Sequence, residues 1–381
     1  MSRLKLNKSK TTLTTATTVK RNLKKKSLRK TLTEEPAEEN KRIDYINTGS
    51  VILNLAASQK GRRGGWARGR IINPVGDGSS GKTLLTLEAF ANAFHTFKKL
   101  KDIPSYTFPK VKKLIMKYDN VEGVMDFPIE EMYGEDFVSA VEWLSSPTCE
   151  AAGRNIQRAI QNLKEGECLL YAWDSLDSSV SSAQKERNVK SLKTDKDEED
   201  AYGTEKAKYF SGAFFNNLCE LQQNKDATVF MISQIRENIG VRFGDKYKRT
   251  GGKALDFYTH QVPWLRTKDK LKKTFRSQQR VYGVRVEALF KRNKCAKPYR
   301  DAEFTILFDY GLDNIGSMVD YLFGPEVKTI EWNDEKYKRE EFIDLIENDN
   351  DEYEALVDAV EKDWAEIEVA IKPERKNRWD D

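Results

Sequence analysis

Residues Gly76-Asp77-Gly78-Ser79-Ser80-Gly81-Lys82-Thr83 fit the pattern G-x-x-x-x-G-K-[ST]. Glycines at such a turn let successive backbone N–H groups curl round a phosphate chain, and the helix that follows adds a positive dipole end. Lys82 would reach the β- and γ-phosphates, and the Thr83 hydroxyl would bind Mg²⁺. The expected cradle is therefore Gly76, Asp77, Gly78, Ser79, Ser80, Gly81, Lys82 and Thr83, with ATP and Mg²⁺ as cofactors. The same residues satisfy G-x-G-x-x-G, but a dinucleotide site needs an acid about twenty residues on. There the chain has the lysine-rich Lys98–Asp102, and the dinucleotide fingerprint makes no use of Lys82 and Thr83.

A nucleoside triphosphatase also needs a carboxylate near the metal and a group that activates water. Leu169 to Trp173 is an apolar run closed by Asp174, which puts that acid at a strand end beside the loop as a second metal ligand. For the water, Asp119 and Glu122 both follow a strand and compete for the role, and either could instead only cap the turn.

These groups need a sheet with its carboxyl edge facing the phosphates. Periodicity predicts strands at Arg70–Val75, Val111–Tyr118, Cys168–Trp173 and Thr228–Ser233. It predicts helices at Gly81–Leu100, from Ser146/Pro147 to Leu163, and at Lys206–Gln223. Pro74 should mark a bulge or a strand end. Gln184–Glu199, with alternating charge and no apolar period, is expected to be a loop. The chain should turn strand-rich after Val281 and become an acidic helical piece beyond Phe323-Gly324-Pro325. Strands alternating with helices imply a mostly parallel sheet with ligands at its carboxyl ends.

The 381 residues allow one large core plus an appendage, or two domains. Cys149, Cys168, Cys219 and Cys295 have no C-x-x-C spacing, which argues against a zinc site or a disulfide framework and suits a reducing compartment. No apolar run approaches the ~18 residues that span a bilayer. No apolar signal core opens the sequence. A soluble, cytoplasmic, nucleoid-associated protein without a membrane partner is expected. Residues 1–33 carry eleven Lys/Arg and no acid, whereas Glu326 onward carries twenty Asp/Glu against nine Lys/Arg. The basic head can neutralise phosphates, and the acidic tail should repel them.

Thr48-Gly49-Ser50, Gly64-Gly65, Gly69-Arg70-Ile71 and the phosphate loop resemble the corresponding stretch of the RecA family, as does Glu122 followed by Asp126. The most specific segment runs from Ser233-Gln234-Ile235-Arg236 through Gly244 and on to Thr250-Gly251-Gly252-Lys253-Ala254-Leu255-Asp256-Phe257-Tyr258. The resemblance implies that Glu122 activates water, Gln234 senses the nucleotide and Asp174 stands on the Mg²⁺ side. It also implies that Arg236, Ile239, Arg242, Phe243, Thr250, Gly251 and Gly252 lie along DNA, and that Arg292 and Lys294 reach a neighbouring subunit's ATP. Charge adds Lys248 and Arg249 to the DNA-binding set, and an apolar wedge at Ile239 or Phe243 could enter between bases. Three features depart from the family: Asp77-Gly78 in the loop, the acid-rich Gln184–Tyr202 segment, and the long basic arm.

The expected fold class is α/β, a RecA-type P-loop ATPase core with a mostly parallel sheet. A basic, largely disordered N-terminal arm (1–42) and a small acidic helical C-terminal region (326–381) would flank the core (43–325). The expected partners are single-stranded DNA, homologous duplex DNA and further copies of the chain in a helical filament, with homologous pairing and strand exchange as the activity. A helicase-like motor or loader of the same fold, and a DNA-coating regulator with little turnover, are the competing functions.

Overall fold

A computed structural model of the protein describes residues 43–99, 108, 110–123, 125, 127–194, 204–237, 247–249 and 252–375. The basic arm lies outside them.

The sheet grows from strands whose two faces are both apolar. In β7 (Glu167–Asp174), Cys168, Leu170 and Ala172 face one core, while Leu169, Tyr171 and Trp173 face the other. That two-sided burial is what a strand covered by helices on both faces requires. β7 pairs in parallel with β5 (Lys113–Asn120) and with β8 (Asp226–Met231), and β5 pairs in parallel with β6 (Val141–Leu144).

Pro74 lacks an N–H, and the expected Arg70–Val75 strand is accordingly broken into β3 (Ile71–Ile72) and β4 (Val75–Gly76). β3 pairs with β8, and β4 with β9 (Ser233–Glu237), so the break on one side faces the break at Ile232 on the other. Asn73 closes the gap. Its Nδ2 donates to Ser233 Oγ at 2.9 Å, and Ser233 N donates to Pro74 O at 2.9 Å.

Beyond β3 and β4 the sheet turns antiparallel. β11 (Gln261–Phe275) lies parallel to both and then folds back as β12 (Gln278–Asn293), which pairs with β13 (Asp301–Leu307); β13 pairs with β14 (Gly311–Asp313). The strand-rich region thus begins at Gln261 rather than after Val281. Alternation in β11 is obscured because its second half, with Lys268, Lys270, Lys272 and Lys273, has no buried face.

Helix α1 (Val51–Ser58) is capped by Ser50 and, with α2 (Lys82–Lys99), packs on one face of the sheet. On the other face lie α5 (Cys149–Gln161), capped by Thr148, and α8 (Phe215–Gln222). The expected single helix over Lys206–Gln223 is instead α7 (Thr204–Tyr209), a wider turn at Phe210–Phe214 and then α8, because Gly212 leaves the helical region with ψ −127°. The expected loop at Gln184–Glu199 is helical over Ser182–Thr194 (α6), and 195–203 lie outside the described residues. Its helicity comes from tertiary anchors that periodicity cannot register. Ser182 N donates to Glu150 at 2.9 Å, and Arg187 pairs with Glu205 at 2.8 Å.

The acidic C-terminal region is a hairpin, β15 (Thr329–Trp332) and β16 (Glu335–Lys338), followed by helices α11 (Arg339–Asn348) and α12 (Asn350–Ala370). Ile330, Phe342, Ile346, Leu356 and Val360 are buried in the same cluster as α1. Arg62 pairs with Glu354, Asp358 and Glu361 of α12.

Glu88, one turn and a half into α2, is a buried acid with no cationic partner among the described residues. It accepts from Leu312 N at 2.9 Å and Tyr133 OH at 3.2 Å, and burial raises its pKa to about 7. A raised folded pKa means that the native state holds a proton the unfolded chain has lost. Its stabilising contribution is complete below about pH 4.5 and is lost as the pH rises to about 7, a change on the order of 3 kcal/mol. Glu88→Gln should abolish that part of the pH dependence. Urea unfolding of both proteins at pH 5 and pH 8 reads the difference, and parallel stability profiles would contradict it.

Candidate phosphate-binding site

The loop leaves β4 and enters α2 at Lys82, with Ser79 and Gly81 at φ 59° and 85°. A Cβ on Gly81 would lie 2.5 Å from Ile306 Cδ1, and one on Gly76 2.3 Å from Ser80 Oγ, so side chains there would fill the cradle. Lys82 is buried, and Nζ donates to Asp77 O at 2.5 Å. Burial lowers its pKa, against the pull of Asp174 and Glu122. A desolvated cation folded over its own loop is well placed to take a polyanion.

Thr83 Oγ1 and Tyr118 OH both donate to Asp174 Oδ2, each at 2.7 Å. Burial raises the Asp174 pKa, opposed by those two hydroxyls. Hydroxyl and carboxylate oxygens at this spacing are donors of the kind Mg²⁺ accepts. Among the described residues no group of three or more His, Cys, Asp or Glu could hold a metal. An ion between Thr83 and Asp174 would therefore keep water and phosphate oxygens as its other ligands, which is Mg²⁺ behaviour. The donor set fits. Beside the loop a cleft of about 500 Å³ is walled by Phe127, Pro128, Met132, Ile306 and Phe308, apolar surfaces suited to a heterocyclic base.

The two competing acids separate by their partners. Asp119 is fully buried and accepts from Ser146 N (2.8 Å), Ser146 Oγ (2.5 Å) and Tyr171 OH (2.9 Å), which commits it to holding β5 against the start of α5. Glu122 is exposed at the mouth of the site. Its Oε1 accepts from Ser175 Oγ (2.8 Å), Ser178 Oγ (2.7 Å) and Gln234 Nε2 (3.2 Å). Asp119→Ala should cost about 3 kcal/mol of stability by orphaning Tyr171 and Ser146. A urea titration that shows no loss would contradict that role.

Gln234 lies directly beside Gly76 in the neighbouring parallel strand. Its backbone N–H donates to Asp177 Oδ2 at 2.7 Å. The parts played by Tyr118, Ser175, Ser178 and Asp177 carry no spacing signal in the sequence, because each depends on contacts made only in the fold.

β9 ends at Glu237 and pairs antiparallel with β10 (Tyr247–Arg249), with Arg236 opposite Lys248. Ile239, Arg242, Phe243, Thr250, Gly251 and Asp126 lie outside the described residues. Gly252 opens helix α9 (Gly252–Tyr258). Arg249 does not face outward as expected of a DNA contact. Its side chain is only 6% exposed and is held by Asp256 and Asn73, and burial lowers its pKa. The physical reason is Asp256, which neutralises it inside the hairpin base.

Arg292 and Lys294 stand at the end of β12, opposite the start of β11, and so at the amino edge of the parallel sheet, away from their own phosphate loop. Burial, then Arg292, lowers the Lys294 pKa. Neither touches Lys82, Asp174 or Glu122 in this chain.

A family model described as the RecA N-terminal domain matches residues 12–101 and 187–313. Residues 102–186, with Glu122 and Asp174, fall between the matched segments. The chain is 30% identical to Protein RecA of Acidothermus cellulolyticus over 278 residues, 73% of this chain and 70% of that one. It is 30% identical to Protein RecA of Streptomyces venezuelae over 295 residues, 76% of this chain and 65% of that one. Among solved structures, the crystal structure of the RadB recombinase is similar at 17% identity and a TM-score of 0.45, covering 71% of this chain and 99% of that one. Among the described residues no helix is long and apolar enough to cross a membrane.

Proposed function

The chain belongs to the RecA family of recombinases, and from that premise we propose that it couples ATP hydrolysis to a grip on single-stranded DNA, promoting homologous pairing and strand exchange in recombination and repair. The observation that carries this reading is the position of Gln234. It stands beside Gly76, its side chain reaches Glu122, and its strand ends at Glu237, next in sequence to 238–250. One strand thus serves both the nucleotide and the basic loop.

Lys82 and the backbone N–H groups of Ser79 to Thr83 would hold the triphosphate, and Thr83 and Asp174 the Mg²⁺. The ion supplies charge neutralisation at the phosphates. Tyr118 fixes the Asp174 carboxylate, and Glu122, oriented by Ser175 and Ser178, takes the proton of the attacking water. When Gln234 changes partners, β9 carries the change to Arg236, Ile239, Arg242, Phe243, Lys248, Thr250, Gly251 and Gly252, which we place along the DNA. Arg292 and Lys294, at the far edge, would serve the site of the next copy. Such a head-to-tail contact propagates as a helical filament.

Joint-molecule formation between a labelled single strand and its homologous duplex tests this. The proposal expects joint molecules only with ATP and only with a homologous sequence. ATP turnover that is indifferent to DNA, with no joint molecules, would contradict it.

A further inference from the structure

We propose that Asp177 is a positioning residue that pins the inner end of β9, so that a change at the Gln234 side chain passes outward to 238–250 and is not absorbed inside the sheet; this deepens, and rests on, the function proposed above. Asp177 belongs neither to the phosphate cradle nor to the Thr83–Asp174 pair. It lies in the turn that follows Asp174, and its Oδ2 accepts from the Gln234 backbone N–H at 2.7 Å.

Three successive N–H groups fix this end of the strand, pointing alternately to opposite sides as in any extended chain. Ile232 N donates to Trp173 O at 3.1 Å, Ser233 N to Pro74 O at 2.9 Å, and Gln234 N to Asp177. The first bond ties the chain to the end of β7, and the second ties it to the link between β3 and β4. The third falls past Asp174, where β7 has ended, so a side chain continues the pairing that the strand's backbone no longer offers. Among the described residues β10 accompanies β9 only as far in as Ile235. A carboxylate that accepts from a backbone N–H makes a charge-assisted bond, stronger than a neutral one.

The turn can bear that load because other groups hold it. Lys206 Nζ donates to Leu176 O at 3.1 Å and to Asp177 O at 2.9 Å, and Leu176 N donates to Ile232 O at 2.9 Å. Ser179 Oγ accepts from Trp173 Nε1 at 2.8 Å and donates to Ser175 O at 3.0 Å. The same turn carries Ser175 and Ser178, which both donate to Glu122. Gln234 is thus tied to one turn twice, by its backbone through Asp177 and by its side chain through Glu122. When triphosphate draws the side chain away, the backbone bond stays. With the inner residues fixed to β7 and Pro74, the displacement is taken up toward Glu237 and the loop beyond.

Two substitutions in the full-length protein separate the bond from the charge. Asp177→Ala removes both, whereas Asp177→Asn removes the charge and keeps an acceptor oxygen. The distinction matters at Lys82, where burial lowers the pKa and Asp174, Glu122, Asp77 and Asp177 oppose it. In Asp177→Ala, ATP turnover without DNA and the KM for ATP should stay within about threefold of the parent. Stimulation of turnover by single-stranded DNA, and the tightening of single-strand binding by a non-hydrolysable ATP analogue, should each fall about fivefold or more. Asp177→Asn should keep both responses within about threefold. Asp177→Ala combined with Gln234→Ala should respond no less than Gln234→Ala alone, because residues that act through one bond are not additive.

Parental responses in Asp177→Ala would overturn the proposal. So would equal losses in Asp177→Asn, which would assign the effect to charge near Lys82. Loss of DNA-free turnover together with the DNA response, or losses that add in the double variant, would give Asp177 a separate role and overturn it too. A parent whose turnover and strand binding ignore each other sinks the functional reading and the pin together, whereas a parent that responds and an alanine variant that matches it sink the pin alone.

Discussion

Glu122→Gln should keep nucleotide affinity within about twofold while slowing phosphate release ~10²–10⁴-fold, the range of a lost general base. The amide preserves the shape that Ser175 and Ser178 hold, and its oxygen still accepts from Gln234. What it loses is the capacity to take a proton. Fluorescent-nucleotide titration and single-turnover phosphate release read the two effects separately. Turnover within about tenfold of the parent would show that another group handles the water.

Lys82→Ala has the other large effect, and it should appear in binding as well as turnover. The ammonium is buried and bonded only within its loop, so alanine at a helix N-terminus removes charge without disturbing packing. A lost charge-assisted contact should weaken triphosphate affinity ~10- to 100-fold. Lost stabilisation of developing phosphate charge should reduce turnover a further ~10²–10³-fold. Calorimetric titration with the triphosphate tests the first, and steady-state phosphate release with saturating single-stranded DNA the second. Retention of both activities would move the site elsewhere.

Much of this was legible because glycine, lysine and threonine at fixed spacing have few other uses. The loop Gly76 to Thr83 and the strand ending in Asp174 read directly from the sequence, whereas Gln234 comes only through the family resemblance. The choice between Asp119 and Glu122 did not, because it depends on Ser146 and Tyr171, residues far along the chain that approach Asp119 only in the fold. Arg249 misled for the same reason: its charge suggested a phosphate, and Asp256 claims it. The α6 helix escaped notice because Glu150 and Glu205 anchor it from outside. The outer half of β11 escaped notice because a strand with no buried face shows no alternation.

The central claim is that nucleotide at Lys82 decides how firmly a single strand is held, through Gln234. Anisotropy of a labelled single strand, titrated with the full-length protein at one salt concentration with and without a non-hydrolysable ATP analogue, measures that coupling. The account predicts a tightening of about tenfold or more with the analogue, some 1.4 kcal/mol of coupling, and its loss in Gln234→Ala. The same affinity with and without the analogue would contradict it.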